Sequence, residues 1–193
     1  MSSTFSAVLL AAGHSIRMRR DKALLELDGR LMWQRQRDVL VHAGAAEIFL
    51  SARSGQLWAE TAEGFAGIVR DASLDSGPLG GIGAGLERSG QSHLAVLAVD
   101  LPHMEPAWFT ALLADCAPGC GVVGRLGAFF EPLAAVYPRE LLPLARAALE
   151  RRELSLQKLL AAAVAQQLLR VREISVVEAP LFANWNEPGG PSA

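Results

Sequence analysis

"FSAVLLAAGHSIRMRRDK" (residues 5–22) runs an apolar stretch into a single glycine and then into four basic side chains, Arg17, Arg19, Arg20 and Lys22. The segment from Phe5 to Ala12 carries only Ser6 as a polar residue, so it is apolar on both faces of an extended chain. That suits a strand covered by helices on each side, as in a parallel sheet. Gly13 lets the backbone turn with its amides pointing inward, which makes a cradle for anions. Arg17 and Lys22 are then placed to neutralise a polyphosphate, Lys22 as a compact point charge. A solvated basic turn is the structural alternative. The spacing matches neither G-x-x-x-x-G-K-[ST] nor G-x-G-x-x-G, so this is neither of the two common phosphate loops.

Outward from this strand, short apolar segments alternate with longer helical ones. Residues 47–52, 66–70, 93–99, 119–125 and 132–137 read as further strands. Helices are predicted over 32–43, 77–88, 105–115 and 139–150, with another capped by Ser155. Met32, Val39, Leu40 and Ala43 share one face of the first helix, and Gly44 stops it. Pro78 and the proline in "EPAWFTALLAD" fit first helical turns. Alternation of this kind implies a single-domain α/β fold, Rossmann-like and doubly wound, with a mostly parallel sheet and helices on both faces. One strand late in the chain is expected to be reversed. The whole of 1–193 is read as one domain, with 189–193 a frayed tail.

In such sheets ligands lie beyond the carboxyl ends of the strands. "AVLAVDLPHM" (95–104) puts Asp100 at that end of the fourth strand, and "IVRDASLDSGPLGG" (68–81) puts Asp71 after the third. A carboxylate facing a loop of cations can carry Mg²⁺ against phosphate oxygens, although either aspartate alone also suits a turn or a helix cap.

Composition narrows the function classes. Over 193 residues the formal net charge is −2, which speaks against a broad basic face for nucleic acid. The longest apolar runs fall far short of the ~20 residues that span a bilayer, and the opening residues lack the basic segment of a signal peptide. Cys116 and Cys120 read as plain thiols in a reducing cytoplasm, and His14, His42, His93 and His103 have no zinc-type spacing.

Taken together, these motifs resemble the nucleotidyltransferases, and within them the molybdenum cofactor guanylyltransferases. The likeness rests on "LAAGHSIRMRRDK" (10–22), "ALLELDGRLMWQRQ" (23–36), "DSGPLGGIGAGL" (75–86), "VDLPHM" (99–104), "EPLAAVYPRELLP" (131–143) and "FANWNEP" (182–188). It implies transfer of GMP from GTP to the terminal phosphate of molybdopterin, with Mg²⁺ as cofactor and pyrophosphate released. Molybdoenzymes or their delivery chaperones would receive the product. The resemblance places Leu10, Ala11 and Ala12 against the nucleotide, Lys22 on its phosphates, Asp71 on the nucleoside side and Asp100 on Mg²⁺. Asn184 and Asn186 fall on the pterin side. Three departures leave alternatives open. Ala12 replaces a glycine of the motif, as in the cytidylyltransferase branch, and Ser51 replaces an asparagine that contacts the nucleotide. Arg19 replaces the glycine of Arg-Met-Gly. The first two keep cytidylyl transfer open, and the third keeps open a catalytically degenerate nucleotide-binding relative.

Overall fold

The computed structural model describes residues 4–13, 21–70 and 76–185. In chain order it forms β1 (Ser6–Leu10), a two-residue-strand hairpin β2 (Glu26–Leu27) and β3 (Arg30–Leu31), α1 (Met32–His42) and β4 (Glu47–Ser51). Next come α2 (Leu57–Thr61), β5 (Gly67–Val69), α3 (Gly77–Arg88), β6 (His93–Ala98) and α4 (Pro106–Asp115). Then follow β7 (Gly121–Leu126), β8 (Phe129–Pro138), α5 (Leu142–Glu150), α6 (Leu156–Ala165) and β9 (Leu169–Glu173). The seven-stranded sheet has the order β5-β4-β1-β6-β8-β7-β9. Every pairing is parallel except those of β8, which runs against both β6 and β7. This is the reversed strand that the sequence predicts late in the chain.

Alternation along the central strands splits the core into two layers. Ala7 and Leu9 of β1, with Ala95 and Leu97 of β6, face Met32 and Leu40 of α1 and Trp108 and Phe109 of α4. Val8 and Leu10, with Leu94 and Val96, face Leu79, Ile82 and Leu86 of α3 and the inner sides of α5 and α6. Both layers exclude water, and a strand buried on both faces carries the uninterrupted apolar run seen in the sequence. On α6, Leu156, Leu159, Leu160 and Ala163 are buried, and the expected cap is in place, the Ser155 side chain accepting from the Lys158 amide at 3.4 Å. Gly44 ends α1 with a left-handed φ of 92°.

The glycine-rich composition of α3 has a packing cause. A Cβ on Gly85 would stand 3.0 Å from Leu94 and 3.2 Å from Val8, and one on Gly81 would stand 2.6 Å from Ser51 Oγ. Bare backbone is what lets this helix lie against β1 and β4, and its first turn reaches the sheet's carboxyl edge. Three elements go unpredicted: the β2–β3 hairpin, α2 and β9. β9 is "LRVRE", a charged edge strand whose polarity protects the sheet's end and hides its periodicity. Among the described residues no helix is long and apolar enough to cross a membrane.

Candidate active site

β1 passes first to β4 and β5 on one side and later to β6 on the other, so the strand order reverses between β1 and β6. A crevice is expected at such a switch point, outside the carboxyl ends. A cleft of about 690 Å³ lies there. Leu10, Ala11, Ala12 and Gly13 line it from β1, Ser51 and Arg53 from β4, Arg70 from β5, and Ala98 and Asp100 from β6. Ser76, Gly77 and Pro78, at the start of α3, close one wall. Gly77 has a φ of 58°, so this corner is built on the left-handed region that favours glycine.

Asp21 and Lys22 return the chain to the cleft floor. Asp21 caps a 3₁₀ turn over Lys22–Leu24 by accepting from the Ala23 amide at 3.1 Å. From the head of that turn Lys22 Nζ reaches Asp100 Oδ2 at 2.9 Å, with both side chains about three-quarters buried. The two residues singled out from distant segments of the sequence therefore meet across the cleft. Ser51 lines the cleft although only 2% exposed, since its hydroxyl is packed against the bare face of α3.

The other expected positions divide into two groups. Arg17, Arg19, Asp71 and Asn186 lie outside the described residues, as does 189–193. The neighbours of those segments are in place: Gly13 and Asp21 flank the first and Arg70 and Ser76 the second, all at the cleft. Asn184 is exposed and is not among the residues lining the cleft. It is nevertheless tied to the site by its neighbour, because the Trp185 amide donates to Asp100 O at 3.0 Å. Gly13 does not have a left-handed φ, and among the described residues a Cβ there would meet nothing within 4 Å. The chain thus leaves β1 without the conformational freedom of glycine, and the position is open towards the cleft.

Sequence reasoning missed Arg53, Gln56 and Asp21. Arg53 Nη1 donates to Gly13 O at 2.9 Å and Ala12 O at 3.3 Å, and Gln56 Nε2 donates to Ala11 O at 2.9 Å and Asp21 Oδ2 at 2.6 Å. The position of "RSGQ" (53–56), just beyond a predicted strand's carboxyl end, could have marked Arg53 and Gln56. Glu131, two residues before cleft-lining Leu133, has its carboxyl held above the usual range by burial.

Among the described residues the donor set suits a divalent cation in one mode. Among the described residues no three His, Cys, Asp or Glu side chains are grouped to cage a metal. Mg²⁺ is ordinarily held by one or two carboxylates plus substrate phosphates and water, and Asp100, partly exposed in the cleft, suits that mode.

The family model of the MobA-like NTP transferase domain matches residues 7–171. The chain belongs to that family. A probable molybdenum cofactor guanylyltransferase of Opitutus terrae is 41% identical over 190 residues, 97% of this chain and 93% of the relative. A molybdenum cofactor guanylyltransferase of Pseudomonas entomophila is 30% identical over 186 residues, 95% of this chain and 94% of its own. Among solved structures, molybdopterin-guanine dinucleotide biosynthesis protein A from Archaeoglobus fulgidus superposes with a TM-score of 0.72 at 18% identity, covering 95% of this chain and 93% of that one. In this member of the MobA-like family the matched region runs from β1 into β9 and contains every cleft-lining residue named above.

Proposed function

We propose that this protein transfers GMP from GTP to the terminal phosphate of molybdopterin in the cytoplasm, releasing pyrophosphate and using Mg²⁺, with the whole chain acting as one domain. The observation that carries this reading is the meeting of Lys22 and Asp100 at 2.9 Å on the switch-point cleft. The names of the full-length relatives supply the substrates.

Nucleotidyl transfer is an in-line displacement in which an acceptor phosphate oxygen attacks the α-phosphorus and pyrophosphate leaves. Charge grows on the equatorial and leaving oxygens, so catalysis is chiefly positioning and cation stabilisation. When nucleotide enters, the Lys22 ammonium exchanges the Asp100 carboxylate for phosphate oxygens, which leaves Asp100 as the residue that would hold Mg²⁺. Held by Asp100, the cation would supply positive charge against the charge that develops on the reacting phosphates. Arg17 supplies a second cation to the transferred and leaving groups. The first turn of α3, open to the cleft, adds the positive end of a helix dipole. Leu10, Ala11, Ala12, Gly13 and Ser51 hold the nucleotide and Asp71 its nucleoside side. Asn184 and Asn186 face the pterin, and the product passes to a molybdoenzyme or its delivery chaperone. The acceptor phosphate is already ionised at neutral pH, so no general base is needed.

Cytidylyl transfer is a second reading, favoured by one observation. The space around Ser51 is closed by α3, with a Gly81 Cβ position only 2.6 Å from its hydroxyl, so residue 51 is held small where guanylyl enzymes carry an asparagine. Thermal unfolding with Mg²⁺ and each of GTP, CTP, ATP and UTP separates the readings. A ligand at a hundredfold excess over its Kd stabilises by about 2.7 kcal/mol. For this size that raises Tm by about 5–10 °C. The expected result is a shift with GTP alone. A shift with CTP moves the protein to the cytidylyl branch, and no shift with any nucleotide overturns both readings.

A further inference from the structure

Asp21 is the hub of a buried polar cluster that joins three separate pieces of chain. Its side chain is only 12% exposed. Oδ1 accepts from the Ala23 amide at 3.1 Å, which fixes the turn that bears Lys22. Oδ2 accepts from Gln56 Nε2 at 2.6 Å and from the Trp58 indole N–H at 2.8 Å, with Arg53 Nη2 at 3.9 Å. Gln56, itself 5% exposed, also donates to Ala11 O and accepts from the Arg53 amide at 2.8 Å. Arg53 in turn holds the carbonyls of Ala12 and Gly13. Both flanks of the 14–20 segment, Gly13 before it and Asp21 after it, are thereby bonded to one Arg53–Gln56 pair. On the far side Trp58 stacks on Trp33 with ring centroids 6.1 Å apart and planes 24° apart, and Trp33 belongs to the core. The cluster therefore refers the position of Lys22 to the rigid interior.

A turn cap needs only one acceptor oxygen, and asparagine supplies that as well as aspartate does. Asp21 uses its second oxygen for two further donors, and both come from the segment just after β4. A carboxylate can accept at both oxygens, whereas an asparagine amide offers one acceptor oxygen and presents N–H groups at the other. The chemistry of the cluster thus requires a carboxylate for reasons unrelated to the turn itself.

We propose that Asp21 is a positioning residue for the transfer reaction. Through Gln56 and Trp58 it holds the Lys22 ammonium at the point where the reacting phosphates lie, and a displaced Lys22 costs rate because catalysis by positioning is steeply distance-dependent. This rests on the reading of Lys22 given above, and the test keeps the two apart. Pyrophosphate release from GTP and molybdopterin is measured for Asp21→Asn, Lys22→Ala and the double variant, with Tm taken alongside. Asp21→Asn is expected to lower kcat at least tenfold with the KM for GTP changed less than threefold. In the Lys22→Ala background the same change is expected to have no further effect, since the group it positions is gone. Losses that multiply in the double variant would overturn the positioning role while leaving Lys22 intact. Near wild-type turnover in Lys22→Ala would overturn the underlying reading instead. Trp58→Phe keeps the stack on Trp33 and removes only the indole donor, so it serves if Asp21→Asn fails to fold. It is expected to lower kcat severalfold with Tm unchanged, and unchanged kcat in that variant would overturn the proposal.

Discussion

Asp100 stands just past the end of β6, because Ala98 carries the strand to the sheet edge and the segment then turns away from Val99 to Pro102. Its carboxylate is the metal candidate, and Asp100→Asn keeps the shape while removing the charge. That variant is expected to lose the Mg²⁺-dependent part of GTP binding, measured as the difference in Tm shift with and without Mg²⁺, and an undiminished difference would refute the metal role. Cys116 gives a residue-level prediction of a different kind. Burial, then the neighbouring Cys120 and Asp115, push its thiol from 9.0 up to about 12. Below pH 9 the folded and unfolded chains both keep the proton. Between pH 9 and about 12 the unfolded chain releases it first, so stability falls as pH rises through that window. Denaturation midpoints at pH 8 and pH 10.5 should differ more for the wild type than for Cys116→Ala, and equal differences would remove the effect.

Glycines decide how closely the elements approach. On β7, a Cβ at Gly121 would sit 2.1 Å from the Val136 carbonyl oxygen of β8, and backbone in a paired strand cannot step aside. Gly121→Ala is expected to destabilise the fold by about 3 kcal/mol, the upper end of overpacking costs. On α3, a Cβ at Gly81 would meet the ends of two side chains, Ser51 Oγ at 2.6 Å and Leu10 Cδ2 at 2.7 Å, which can shift. There the gain in helix propensity, about 1 kcal/mol, offsets much of the crowding. Gly81→Ala should therefore cost little stability but weaken GTP binding, because the two side chains that move both line the cleft. Calorimetric Tm with and without GTP distinguishes the two cases, and a large Tm loss in Gly81→Ala would contradict this assignment.

At the scale of the molecule, the last described segment closes the structure on its own site. Trp185 is 9% exposed, packs in the layer beneath α1 and α4, and donates its amide to the Asp100 carbonyl. Trp185→Ala leaves that amide in place and removes the packing, for which buried aromatic truncations typically cost about 3–5 kcal/mol. Tm is expected to fall by on the order of 10 °C, and GTP binding should weaken because the Asp100 backbone loses its rear support. A variant with wild-type Tm would show that the contact is peripheral.

The order of the main strands and helices and the burial of β1 and β6 on both faces were legible because each depends on local periodicity and on segment length, whereas which late strand is reversed was settled only by its pairing. Lys22 and Asp100 were legible for a related reason, since a strand's carboxyl end is a place that sequence order identifies. β9 was not, since an edge strand faces solvent and its arginines and glutamate carry no apolar rhythm. Nor were Asp21, Gln56 and Arg53 recognisable as one cluster: Asp21 lies 35 residues from Gln56 and is joined to it only by the parallel crossover that sets β4 beside β1. The sequence by itself determined which residues are buried and which loops leave the sheet at the same edge. Only the tertiary structure decided which polar groups meet there, because a hydrogen bond depends on placement to within an ångström and hydrophobic periodicity fixes nothing finer than a face.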